Sequence, residues 1–485
     1  MLPRPAGRID RCRRIVHRRW RAARPRVRCS PVRWPQFHRP CGGPVPPPDR
    51  PVVPRQDSPG PDGRLTRRRL LVWSALAAAT PLGAGLWPAR AVAESDGDAY
   101  QRAFQQAVAA DQDVRWYAEP GREFLYRPRQ LLVANPDTTR VLVRLREQGH
   151  QATPAGSFAG VTRLRFGQET DVPAVVSALR DPRQWPNQPV PRVQPHHVVV
   201  GFGNIMGNPG SPPRDATPLA PPAPTRAGEG AGVTVGICDT GIWRLAADRH
   251  PQWLGGSYLP QLDDEDPLYL SADILALQGG HGTFVAGVVR QAAPGVRLDP
   301  EPALAHTGLG DEEMLVRALA ALAPEVSVVN LSLGCFTQDD QPSLPLAQAL
   351  AARPSGSVVV AAAGNAGTSR PAWPAAFPDV LAVSAVSPGQ SGPVPAPYSG
   401  FGSWVDACAV GERTSTYVDG RLVLPGLPTR LFTGFAAWAG TSFAAAHVSG
   451  RLAALMTTAG LDAEAARAAL LAAPRWHPDY GVLVD

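Results

Sequence analysis

Ser442 sits in residues 440–450, GTSFAAAHVSG, between a tight Gly-Thr turn and a run of small, helix-favouring residues. A serine hydroxyl is a poor nucleophile at neutral pH. It needs a general base within hydrogen-bond reach and a third group that orients the base. Residues 233–242, VTVGICDTGI, form an apolar strand that delivers Asp239 just before a Thr-Gly turn. Residues 279–287, GGHGTFVAG, place His281 between glycines at the start of a helix. Alone, each motif has a plain structural reading: a turn after a strand, a glycine-flanked loop histidine, a serine that caps a helix. In the order Asp, His, Ser, each at the end of an element where loops carry function, the three point to acyl transfer.

From about residue 232 to 485 the chain resembles the subtilases, the subtilisin-like serine proteases. A fourth motif supports the resemblance: residues 358–367, VVVAAAGNAG, are a buried strand followed by a Gly-Asn turn. The resemblance implies that the Asn365 side-chain amide donates to the oxyanion of the tetrahedral intermediate; read alone, Asn365 is a turn residue. It also makes residues 330–334, NLSLG, an edge that pairs with an extended peptide, with Ser332, Leu333 and Gly334 bonding substrate backbone. Ala372, before Trp373 and Pro374, falls near the floor of the primary specificity pocket and leaves room for modest apolar side chains. No metal or cofactor is required for this chemistry.

The elements expected to position these residues alternate strand and helix. Strands are expected at 233–238, 296–298, 326–331, 358–362 and 380–385, and helices at 282–290, 312–322, 345–352, 442–456 and 463–471. Near-continuous apolar strands between helices mean a parallel sheet covered on both faces, an α/β fold. Site groups gather at the C-terminal strand ends, where Asp239 and Asn365 lie.

Ahead of this catalytic domain, 231–485, four segments are expected. Residues 1–69 hold 19 Arg against four Asp and read as a disordered leader, or as the product of a start assigned too far upstream. The chain contains no Lys, so the arginines reflect coding bias better than a nucleic-acid surface, and no nucleic-acid partner is expected. Residues 66–93 resemble a twin-arginine signal peptide, with Arg67 and Arg68, an apolar stretch over 70–87 and a small-x-small site at 91–93, cleaved after Ala93. An uncleaved anchor is the alternative; after cleavage no membrane span is expected and the protein is extracellular. Residues 94–203 give the order β-α-β-β-α-β, a ferredoxin-like α+β domain preceded by a helix over 99–112. The resemblance makes it an inhibitory propeptide, an intramolecular partner; retention as an interaction module is the alternative. Residues 204–230, rich in Pro, Gly and Ala, form a linker in which cleavage would fall.

The formal charge of +7 belongs to the leader, because residues 1–93 hold 20 Arg and four acids and the remainder has a net charge of −9. An acidic exported protein, expected as a monomer acting on polypeptides, argues against polyanionic partners. The loop containing Asp263, Asp264, Glu265 and Asp266 reads as a solvated acidic stretch, although many relatives bind calcium and clustered carboxylates suit it. His250 reads as structural. Cys238 is a small core residue, while Cys335 and Cys408 have the option of one disulfide. Ala446 stands where the family has proline, and Ala409-Val410-Gly411 where Ala-Pro-Gly is common. Two other readings stay open: a catalytically silent subtilase-like scaffold, and a mycosin-like processing protease of a secretion system. The closing GVLVD resembles the family's end, with no membrane anchor after it, which counts against the second.

Overall fold

The computed structural model describes residues 95–201, 211–259, 261 and 264–485. The leader, the signal peptide, residues 204–210 of the linker and Asp263 lie outside them.

Tyr100, Phe104 and Val108 recur every fourth residue along Asp96–Ala110 (α1), so they share one face. The helix starts where Ser95 Oγ accepts from the Asp98 N–H at 3.2 Å. Its apolar face packs into the core cluster that also holds Val285, Val289 and Phe443 of the C-terminal half. The small α+β domain follows: Arg115–Tyr117 (β1), Phe124–Ala134 (β2), Thr138–Glu147 (α2), Ala152–Phe158 (β3), Val161–Phe166 (β4), Val172–Leu179 (α3) and Val193–His197 (β5). The antiparallel order β3-β4-β2-β5, with β1 on the start of β2, is the ferredoxin-like arrangement. Val141 and Leu145 of α2 and Val172, Val176 and Leu179 of α3 pack on Leu131, Val133, Leu164 and Phe166 of the sheet.

Two short strands come next, Val200–Gly201 (β6) and Arg214–Asp215 (β7). The C-terminal half is then built on Thr234–Asp239 (β8), His281–Ala292 (α4), Arg297–Pro302 (β9), Glu312–Ala321 (α5), Val326–Leu331 (β10), Leu333–Gly334 (β11), Leu344–Ala351 (α6), Val358–Ala362 (β12), Val380–Ser387 (β13), Ala407–Val410 (β14), Glu412–Leu422 (β15), Arg430–Ala439 (β16), Thr441–Ala459 (α7), Ala463–Leu471 (α8) and Val482–Leu483 (β17). Strands β9-β8-β10-β12-β13-β14-β17 run parallel in that order. The side-chain period of two sends alternate residues to opposite faces. Val358 and Val360 join the core under α4 and α7, while Val359 and Ala361 join that under α5 and α6. The α/β fold expected from the sequence is therefore the one observed.

The long hairpin β15–β16, paired from Glu412↔Ala439 to Leu422↔Arg430, was not among the expected elements. The described part of the linker, residues 211–230, is more ordered than its composition suggests, since β7 pairs antiparallel with Ala436 and Ala437 of β16. Cys238, Cys335 and Cys408 are buried as free thiols, Cys335 and Cys408 in separate clusters. His250 is structural: its Nε2 donates to the Tyr417 carbonyl at 2.8 Å, and burial lowers its pKa. Ala446, where the family has proline, is buried inside α7. Among the described residues no helix is long and apolar enough to cross a membrane.

Candidate active site

The two glycine-rich motifs interlock. A Cβ on Gly282 would stand 2.0 Å from the Gly241 carbonyl, so the turn after Asp239 and the start of α4 close on each other only because Gly282 carries no side chain; a Cβ on Gly241 would instead meet the Asp264 carbonyl at 2.5 Å. Gly280, at φ 84°, turns the chain into α4 through the left-handed region. The result is a hydrogen bond of 2.7 Å from His281 Nδ1 to Asp239 Oδ1, which also accepts from the Thr240 N–H at 2.8 Å. With its proton on Nδ1, the imidazole offers Nε2 as the basic atom. The ring stands edge-on to Trp438 at 5.3 Å and lies 5.4 Å from Phe443, the residue after Ser442.

Ser442 is the second residue of α7, and an interlocked set of hydrogen bonds holds it from β10. Ser332 Oγ donates to the Ser442 carbonyl at 2.9 Å and accepts from Asn330 Nδ2 at 2.9 Å, while Ser449 Oγ donates to Asn330 Oδ1 at 3.1 Å. Ser442 Oγ donates to the Ser332 carbonyl at 3.2 Å. His281 Nε2 has no partner among the described residues. Ser442 Oγ and His281 Nε2 are thus not hydrogen-bonded to each other in this arrangement. Asn365 Oδ1 accepts from the Thr441 N–H and hydroxyl at 3.0 and 2.9 Å. Its Nδ2 lies against Gly440, 3.1 Å from where a Cβ would stand.

Leu333 and Gly334 form an edge, and it is covered. Strand β6 pairs with it antiparallel, Gly201 opposite Leu333 and Val200 opposite Gly334. On its other side β6 is held by the segment around Leu309: Val199 and Gly310 exchange N–H···O bonds of 3.2 and 2.8 Å, and the Gly201 N–H donates to the Gly308 carbonyl at 2.9 Å. Ser332 instead spends its side chain and carbonyl on Ser442. Ala372 is buried beside this edge, because Trp373 and Cys335 exchange backbone bonds of 2.8 and 2.9 Å. Asp239, His281, Asn365 and Ser442 are all at most 1% exposed, so the site is closed to solvent.

The acidic loop departs from expectation. Asp264 and Asp266 are each only 2% exposed, so charge alone misread it as solvated. Asp266 Oδ2 accepts from the Thr240 hydroxyl at 2.6 Å and from the Gly280 N–H at 2.8 Å, tying the residues that flank Asp239 and His281. Burial pushes its carboxyl up to about 7, against the pull of those two donors. Among the described residues no three His, Cys, Asp or Glu side chains gather to hold a metal ion.

Sequence reasoning missed Asn330, Ser449, Asp266 and the Gly308–Gly310 wall. Asn330 and Ser449 lie inside the motifs NLSLG and GTSFAAAHVSG and Asp266 in the acidic loop, but their positioning roles are not read from them, and the wall's signal is the GLG of residues 308–310.

The comparisons agree with this geometry. The family model described as "Subtilase family" matches residues 230–474. The chain is similar to a thermophilic serine proteinase of Bacillus sp. (strain AK1), 33% identical over 242 residues, which are 47% of this chain and 53% of that protein. It is similar to thermitase of Thermoactinomyces vulgaris, 31% identical over 256 residues (50% and 81%), and to Mycosin-3 of Mycobacterium tuberculosis (strain ATCC 25618 / H37Rv), 32% identical over 336 residues (57% and 70%). Among solved structures, fervidolysin from Fervidobacterium pennivorans, a keratinolytic enzyme related to subtilisin, shares the fold at a TM-score of 0.50 and 18% identity, covering 76% of this chain and 61% of its own. Motif order, parallel sheet and family match converge, and the chain belongs to the subtilase family of serine endopeptidases.

Proposed function

We propose that this chain is a secreted serine endopeptidase made as a preproenzyme. Ser442 attacks the scissile carbonyl, His281 takes and returns the proton, and Asp239 holds the imidazole in the tautomer that leaves Nε2 free. Asn365 Nδ2 and the Ser442 N–H stabilise the oxyanion. The observation that carries this reading is the 2.7 Å bond between His281 and Asp239, set beside the start of α7. The N-terminal domain acts as an intramolecular inhibitor. Its strand β6 takes the place of substrate on the edge at Leu333 and Gly334, which supports the reading.

The test is the intact mass and N-terminal sequence of secreted wild type beside Ser442→Ala. Wild type is expected to begin within residues 204–230 and the variant to keep residues 94 onward. Peptide hydrolysis should fall by about a millionfold in the variant, a loss of the size seen in subtilisin itself. If both proteins start at the same residue and hydrolyse peptide equally, the catalytic assignment fails.

A second reading, a mycosin-like processing protease, is favoured by the length of the likeness to Mycosin-3, 336 residues against 242 and 256 for the other two relatives. Cleavage of one defined protein rather than of unfolded polypeptides in general would select it.

A further inference from the structure

His281 is tied down at one end only. Its Nδ1–H is given to Asp239 Oδ1 at 2.7 Å, while its Nε2 has no partner among the described residues. A single hydrogen bond fixes one direction and lets the ring rock about it, so packing must set the plane of the imidazole. Two rings do so. Trp438 stands at 89° to the imidazole with centroids 5.3 Å apart, and Phe443 lies 5.4 Å away at 43°. Phe443 is fixed by its place in α7, directly after Ser442. Trp438 is carried by β16 and leans on Phe443, their centroids 5.4 Å apart.

The described end of the linker holds Trp438 in place. The indole is 1% exposed, and its Nε1–H donates to the Ser211 carbonyl at 2.9 Å. Next to Ser211, Pro212 and Pro213 are buried, the Pro213 carbonyl accepts from Arg430 Nη1 at 2.9 Å, and Arg214 and Asp215 pair with Ala437 and Ala436. Arg214 also meets Glu412 at 2.8 Å. All of these partners lie within residues 412–438. The grip therefore does not pass through the N-terminal domain, and a cut ahead of Ser211 removes only the further pair between Arg430 and Asp96 of α1. Without β7, β16 would be an edge among the described strands and the buried indole N–H would lose its acceptor.

We propose that residues 211–215 stay on the mature enzyme as a strap, and that through Trp438 they hold the imidazole of His281 in the plane that serves Ser442. Trp438 is then a positioning residue, acting through the base and not on the substrate. The proposal rests on the peptidase reading.

Three measurements test it. The first is the N-terminal sequence of the mature protein, expected to begin at or before Ser211. A start after Ser211 takes away the acceptor carbonyl and overturns the proposal. The second is steady-state kinetics. Trp438→Leu should lower kcat by about tenfold to a hundredfold with KM changed by less than about twofold, and Trp438→Phe, which keeps a ring against the imidazole, should recover most of that loss. Arg214→Ala combined with Arg430→Ala loosens the strap and should lower kcat by about threefold or more, but should add little to Trp438→Leu. Fully additive losses, or an unchanged kcat in Trp438→Leu, would refute the link.

The third measurement needs no activity. In the full chain carrying Ser442→Ala, the His281 Nδ1 proton should give a sharp downfield NMR signal, broadened by exchange with solvent in Trp438→Leu and kept sharp in Trp438→Phe. The same sharp signal in all three proteins overturns the proposal. If the wild type hydrolyses no peptide, the peptidase reading fails, and the NMR signal still decides whether Trp438 sets the ring.

Discussion

The carbonyl end of Asn365 is committed to Thr441 by two hydrogen bonds, which turns the amide end toward Gly440 and the start of α7. A donor fixed this way is most useful where charge develops in the transition state, so Asn365→Ala should lower kcat by about 10²–10³-fold with KM little changed, as steady-state kinetics will read. Asp266 makes a prediction of a different kind. Its folded pKa, about 7, is raised from 3.8 by burial. Keeping it neutral therefore stabilises the fold fully below about pH 4, and that contribution is lost as pH rises to about 7. Asp266→Asn keeps an acceptor for Thr240 and Gly280 and cannot ionise. It should flatten the fall in melting temperature between about pH 4 and 7, worth a few kcal/mol at neutral pH; an unchanged slope would rule the assignment out. Asp239, His281 and Ser442 were legible in the sequence because tight turns at fixed offsets leave a local signature. The roles of Asp266 and Asn330 were not, since each acts on residues that only the fold brings near.

At the scale of elements, apolar strands such as Val358–Ala362 and Val326–Leu331 announced themselves, because a strand buried on both faces is apolar throughout. The hairpin of Glu412–Leu422 and Arg430–Ala439 did not. Its inward positions include Gly434 and Ala436, whose small side chains give little contrast with their neighbours, so the period of two is faint. Helix α1 was legible as a helix but not as part of the catalytic core, because an apolar face does not say which surface it covers. The start of α5 carries a prediction. Glu312, fully buried there, accepts from the His197 N–H at 2.8 Å and Gln194 Nε2 at 2.7 Å, both from the N-terminal domain, and from the Ser343 hydroxyl. Burial alone would raise its pKa; His197, aided by Ser343, holds it below the usual carboxylate range. Glu312→Ala strands these donors and should cost about 2–5 kcal/mol in urea-induced unfolding of the full chain.

At the scale of the whole molecule, the N-terminal domain grips the catalytic half through charge as well as strand pairing. Arg127 meets Asp311 at 2.9 Å, Arg163 meets Glu313, and Arg180 meets Asp339 at 3.3 Å. These pairs were invisible in the sequence, where the arginines of one half and the acids of the other are more than a hundred residues apart. Composition did indicate that the charge of the leader and of the rest differ in sign. One consequence concerns helix α1, whose Tyr100, Phe104 and Val108 are buried against the catalytic half. A polypeptide produced from residue 230 onward would carry an empty apolar trough where those rings and methyls had lain. Uncovered patches of that kind are adhesive. Such a shortened protein, and equally the mature form left by cleavage within residues 204–230, would stay dispersed only while a bound helix or detergent covers that trough.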